Sequence, residues 1–155
     1  MRFRLADRAR VAASFAAVLL FAGLLAGCGS GINLDEPIEG PVWRLEQLNG
    51  EPVASSGDLQ RDPQVQFDGR TGRVSGSGGC NRVSGTFVRS GSTLKLSQLA
   101  STRMACTDPA LTANENQFFA ALQATASYRM QGASRLSLLD AGGRTVAMLS
   151  SGSAR

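Results

Sequence analysis

Histidine is absent from the 155 residues, and lysine, tryptophan and tyrosine occur once each, at Lys95, Trp43 and Tyr128. Without histidine there is no Cys–His or Ser–His pair for nucleophilic catalysis, and a zinc site is short of soft ligands. The absence of histidine leaves carboxylate or lysine chemistry open, but Lys95 is the only lysine and sits in an expected strand, so an enzymatic reading is the weakest. Cysteine is also scarce, at Cys28, Cys80 and Cys106. A reactive cysteine needs a base or a positive neighbour, and near Cys80 only Arg82 and Arg103 offer charge. Carboxylates at Asp58, Asp62 and Asp68 do not follow the spacing of an EF-hand loop. The glycines of Gly76-Ser-Gly-Gly-Cys80 lack the Gly-Lys-Ser/Thr ending of a phosphate loop and read as a tight bend. Asp108 and Glu115 lack the demonstrated separation that glycoside chemistry requires; a helix cap and an early-turn acid favoured by the helix dipole account for them.

What the sequence does hold begins at its N-terminus. Arg2, Arg4, Arg8 and Arg10 precede an almost wholly apolar run, Val11 to Leu25, which is short for a spanning helix and fits a secretory leader. The leader ends Leu25-Ala26-Gly27-Cys28, a pattern that resembles the bacterial lipobox. Residues 1–27 are expected to be removed by cleavage between Gly27 and Cys28, with lipid attached to Cys28. Several acyl chains give a lasting anchor without a transmembrane helix. Loss of residues 1–27 takes away four arginines and one aspartate and leaves 12 basic and 11 acidic residues, so the basic excess belongs mostly to the leader. That balance gives no basis for a nucleic-acid surface. With Cys28 consumed, Cys80 and Cys106 form an even pair in an oxidising compartment and are expected to bond; two buried free thiols are the alternative.

Residues 28–40 read as a polar, flexible tether with a reach of roughly 20 Å. The domain is expected over 41–149, with a frayed tail at 150–155. Within it, short alternating runs at 42–48, 64–67, 72–76, 83–89, 93–97, 128–131, 136–139 and 146–149 are punctuated by glycine turns such as Asn49-Gly50. This predicts an antiparallel sheet curled into a barrel or sandwich. One segment differs: Asp108-Pro109 is a helix start, and Leu111, Phe118, Leu122 and Thr125, widened by Phe119 and Ala121, make a helical apolar stripe. A helix over about 109–125 is expected to pack its phenylalanines against the sheet, giving a β-rich α+β fold, a curled antiparallel sheet with one packed helix. The same Phe118, Phe119 and Leu122 would also suit a pocket for a hydrophobic ligand, but apolar stripes at this spacing are usually core.

Trp43-x-Leu45, Gly79-Cys80-Asn81 followed by Gly85-Thr86-Phe87, Thr102-Arg103-Met104-Ala105-Cys106, Glu115 leading into Phe118-Phe119 and Leu122, and Leu136-Ser137-Leu138 occur in one order. Together they resemble the META domain, or HslJ-like family of heat-shock-associated lipoproteins. The resemblance implies a small β-rich domain with one helix, similar to a cracked barrel and to the barrel of pilot lipoproteins that help assemble secretion machinery. It implies association with the bacterial envelope, with heat-shock induction and with novobiocin resistance, and brings the pair Cys80 and Cys106 but no catalytic residues, metal or cofactor. The expectation is a non-enzymatic module on the inner leaflet of the outer membrane, facing the periplasm and binding an envelope protein. Gly29, rather than Asp, after Cys28 resembles the signal for outer-membrane release. A carrier or sensor of a small hydrophobic ligand is the alternative.

Overall fold

The computed structural model describes residues 37–56, 58 and 61–152. The leader, Cys28, the tether up to residue 36 and the tail from 153 lie outside the described residues.

Nine strands run β1 (Val42–Leu48), β2 (Glu51–Pro52), β3 (Gln64–Asp68), β4 (Arg73–Ser77), β5 (Arg82–Ser90), β6 (Thr93–Ser101), β7 (Ser127–Met130), β8 (Arg135–Leu139) and β9 (Thr145–Ser151). Helix α1 (Pro109–Ala124) connects β6 to β7. Every pairing is antiparallel, and β1 pairs with β3 on one side and β9 on the other, so the curled sheet closes into a ring. β2 is a short extension of β1 across an Asn49-Gly50 turn in which both residues have positive φ, the conformation of a type I′ hairpin. The ring is weakest between β6 and β7, which share the single register pair Thr93↔Ser127. Beyond Thr93, β6 continues to Ser101 past a bulge opposite Gly85, with Gln98 at φ 53°.

Alternation explains why these segments are strands. Val65 and Phe67 of β3, Val74 of β4, Val83 and Phe87 of β5, and Leu94 and Leu96 of β6 point inward, and the residues between them are mostly polar and more exposed. In β1 a bulge between Leu45 and Gln47 restores the inward direction, so that Trp43, Leu45 and Leu48 are all buried. α1 packs on β1, β6, β8 and β9 and buries Phe118, Ala121 and Leu122 in the same core. Its start is capped by Asp108, whose carboxylate accepts the Ala110 N–H at 2.8 Å, with Pro109 in the first turn. Among the described residues, no helix is long and apolar enough to cross a membrane.

Residues 37–40 already belong to the packed domain. Ile38 is fully buried, and its carbonyl accepts the Trp43 Nε1–H at 2.7 Å. Gly40 donates its N–H to the Phe67 carbonyl, and Glu39 pairs with Arg89 at 2.8 Å. A segment read as polar tether thus contributes a core side chain, because Ile38 joins the buried cluster that holds Trp43. At the other end, β9 runs to Ser151 by pairing with β1.

Candidate functional site

The two loops that flank β5 and β6 at one end carry both cysteines. Residues 78–81 join β4 to β5, and Thr102–Cys106 leads from β6 toward α1. The Cys80 and Cys106 sulfurs lie 2.14 Å apart and their Cα atoms 6.1 Å apart, the geometry of a disulfide.

Glu115 fastens this junction to the helix. It is the seventh residue of α1 and is 3% exposed, one turn deeper than an early-turn acid would be. Its Oε1 accepts the backbone N–H groups of Cys80 and Asn81, and its Oε2 accepts the Asn81 amide at 2.7 Å. No cation pairs with it among the described residues; peptide and amide donors satisfy both oxygens. Asn81, also buried, turns its Oδ1 the other way and accepts from the Thr102 hydroxyl at 2.8 Å and the Met104 N–H at 2.7 Å. The Thr102 hydroxyl in turn accepts the Arg82 N–H at 3.0 Å. One carboxyl, one amide and one hydroxyl therefore bind both cysteine loops to α1.

The glycines have a packing reason. A Cβ at Gly78 would lie 2.4 Å from Cγ of Glu115 and 2.7 Å from its Oε1. Gly79 has φ +112°, and a Cβ there would meet Leu111 at 2.8 Å. The run is thus a close approach of backbone to the inserted carboxyl side chain as well as a bend.

The acids weighed as calcium ligands each have protein partners, Asp58 and Asp62 in one turn and Asp68 in another. Asp62 accepts from Ser55 and Ser56, Asp58 pairs with Arg61 and Asp68 with Arg70. Burial pushes the Asp62 carboxyl upward, but hydrogen bonds from the Ser55 hydroxyl and from the Ser56 N–H and hydroxyl, with the Arg44 charge, outweigh it and hold Asp62 below the usual carboxylate range. Asp108 caps the start of α1 while Glu115, two turns further along, binds the loops, so the two acids have separate tasks. Cys80, Cys106 and Glu115 are near enough together to be considered as metal ligands. With the sulfurs at bonding distance from each other, the group is better described as a disulfide beside a satisfied carboxyl. Phe118 is core, whereas Phe119 is partly buried and lines a surface groove.

Two grooves meet at this end. The larger, about 800 Å³, lies over the outer faces of β3 to β6 and is lined chiefly by Gln64, Gln66, Ser75, Ser77, Ser84 and Arg82. The smaller, about 390 Å³, lies between the Arg103–Met104 loop and α1, over Asn81 and Glu115. Ser101 and Thr102 line both. Sequence reasoning found the cysteines and missed Asn81 and Glu115 as a connected pair. The available signal was a glutamate in the seven-residue gap of an apolar stripe, between Leu111 and Phe118.

Comparison with known proteins gives a consistent family. The family model described as META domain matches residues 36–153. Heat shock protein HslJ of Escherichia coli K12 is 36% identical over 107 residues, which cover 67% of this chain and 71% of that protein. A protein structure determined by NMR is 30% identical, covering 74% of this chain and 91% of its own, with a TM-score of 0.58. Another NMR structure, from Burkholderia xenovorans, is 27% identical over 76% of this chain and 85% of its own, with a TM-score of 0.57. A DUF4847 family protein from Bacteroides vulgatus, at 18% identity and a TM-score of 0.54 over 77% of this chain and 97% of its own, shares the fold.

Proposed function

This chain belongs to the META domain family, and from that premise we propose that it is a non-enzymatic lipoprotein of the bacterial envelope that binds a protein partner and supports the envelope under stress. In this reading the precursor is exported, cut before Cys28 and anchored by lipid on the inner leaflet of the outer membrane, with the domain facing the periplasm. The observation that carries it is a division of labour among the cysteines. Cys80 and Cys106 account for each other inside the fold, leaving Cys28 at the position that the leader assigns to lipid. A structural disulfide also fits an oxidising compartment.

The non-enzymatic part is supported by the state of the buried polar groups. Glu115, Asn81 and Thr102 spend their hydrogen-bonding capacity on one another and on backbone, and the cysteine sulfurs on each other. That leaves the junction without a nucleophile beside a base. The stress role is supported by the name of the HslJ relative. The carrier alternative is weakened by the filling of the ring: Trp43, Phe67, Phe118, Leu94, Leu122 and Leu149 are fully buried inside it.

The test is recovery of partners from membranes with the lipidated protein, together with the envelope phenotype of a deletion strain under heat. A specific partner and a weakened envelope are expected. No partner and an unaltered envelope would overturn the reading.

A further inference from the structure

Between Asp68 and Asp108 the chain carries no acid, yet it carries Arg70, Arg73, Arg82, Arg89, Lys95 and Arg103. This block folds into β4, β5, β6 and the cysteine loops. Arg70 pairs with Asp68 and Arg89 with Glu39. Among the described residues, Arg73, Arg82, Lys95 and Arg103 have no ion pair. Arg73, Arg82 and Lys95 are exposed and alternate with the buried Val74, Val83 and Leu94, so all three stand on the outer face of the sheet. The register lays Ser75, Ser84 and Ala100 across that face in one row, and Arg73, Thr86 and Ser97 in the next. Short side chains in the middle and cations toward both ends make a recessed, hydroxyl-lined strip with no carboxylate in its larger groove.

The exposed apolar residues coincide with it. Val42, Val88 and Met104 are the large hydrophobic side chains left exposed among the described residues, at 39%, 71% and 59%. Val42 lines the larger groove, Val88 faces Lys95 across β5 and β6, and Met104 follows Arg103 in the smaller groove. Unpaired cations around a groove without a carboxylate, with single apolar side chains beside them, complement a partner segment that carries acidic groups next to apolar ones. A flat lipid surface would not reach the recessed serines.

We propose that the outer face of β4 to β6, with the two grooves at its end, docks an acidic segment of the partner protein, whose carboxylates meet Arg82, Arg103, Arg73 and Lys95 while its apolar side chains meet Val42, Val88 and Met104. This rests on the protein-binding reading above and names the chemistry of the partner. Three strands at about 4.8 Å spacing make a face about 15 Å wide, so the contact is small, transient and salt-sensitive.

The test uses the mature lipoprotein in neutral detergent and a short fluorescent peptide alternating glutamate and valine, read by anisotropy. The peptide binds, a lysine–valine peptide does not, and added salt weakens binding. Arg82→Gln, Arg103→Gln and Lys95→Gln each weaken it about two- to fivefold, the range for exposed charge pairs, while Arg129→Gln and Arg135→Gln, on β7 and β8, leave it unchanged. Equal losses from the β7 and β8 variants would show undirected charge attraction and overturn the proposal. Binding of phosphatidylglycerol vesicles to this face, with no binding of the peptide, would assign the face to lipid and also overturn it. Either failure leaves partner recovery and membrane anchoring free to succeed, so the two readings fail separately.

Discussion

Replacing Gly78 by alanine should destabilise the protein only while Glu115 is present. The three nearest atoms to a Cβ at Gly78 all belong to Glu115: Cγ at 2.4 Å, Oε1 at 2.7 Å and Cδ at 3.0 Å. In the natural chain Glu115 is held by hydrogen bonds and cannot swing away, so Gly78→Ala overpacks the junction at a cost of about 2 kcal/mol. Glu115→Ala strips the acceptors from the Cys80 N–H, the Asn81 N–H and the Asn81 amide. Each buried donor left unpaired costs about 1–3 kcal/mol; water entering from the adjoining groove recovers part of that, giving a total of about 3–4 kcal/mol. In the Glu115→Ala background the clashing atoms are gone. Gly78→Ala should there be neutral, or stabilising by about 0.5 kcal/mol through the unfolded chain. The double-mutant cycle therefore predicts a coupling near 2 kcal/mol, read from urea unfolding followed by Trp43 fluorescence. Additivity within about 0.5 kcal/mol, the behaviour of independent sites, would refute the close packing of Gly78 against Glu115.

Other outcomes follow from the same contacts. Reduction of Cys80–Cys106, whose sequence separation is 26, should cost about 3.5 kcal/mol from loop entropy and lower Tm by on the order of 15 °C, measured by calorimetry with and without reductant. Asp62, and Asp140 through the Arg144 N–H above all, are held below the usual carboxylate range. A depressed folded pKa contributes stability that is present above the unfolded value near 4 and lost as pH falls through the folded one; Tm should drop on acidification below about pH 4, and Asp62→Asn should flatten that slope. Trp43 is fully buried and donates to the Ile38 carbonyl. Trp43→Phe should destabilise by about 1–3 kcal/mol through lost volume and an orphaned carbonyl, and should loosen residues 37–40 to proteolysis.

Much of this fold is legible in the amino-acid pattern. Val65, Phe67, Leu94 and Leu96 alternate with polar residues, and Asp108-Pro109 marks the helix start, because local burial and capping chemistry are written into adjacent positions. The curling into a barrel is legible too, but not which strands close the ring, since β1–β9 pairing joins opposite ends of the domain and depends on no local motif. The continuation of β6 to Ser101 is concealed by the Gln98 bulge, which breaks the alternation. Ile38 is concealed by its polar neighbours. At the junction, the cysteines are visible by elimination, but Glu115 is not: a buried carboxyl in a helical stripe looks like a gap until the Cys80 and Asn81 N–H groups are seen to fill its coordination. The cation face is half legible, as an acid-free stretch whose exposure only the register reveals.

In the proposed reading, lipid on Cys28 makes an envelope protein of an ordinary packed domain. Mass analysis of the N-terminal peptide and membrane fractionation, for the natural chain and for Cys28→Ser, test it most directly. The natural chain should be processed, begin at an acylated Cys28 and sediment with outer membrane, and the serine variant should be neither processed nor acylated. A serine variant that is cleaved at the same bond and sediments with outer membrane in equal amount would contradict it.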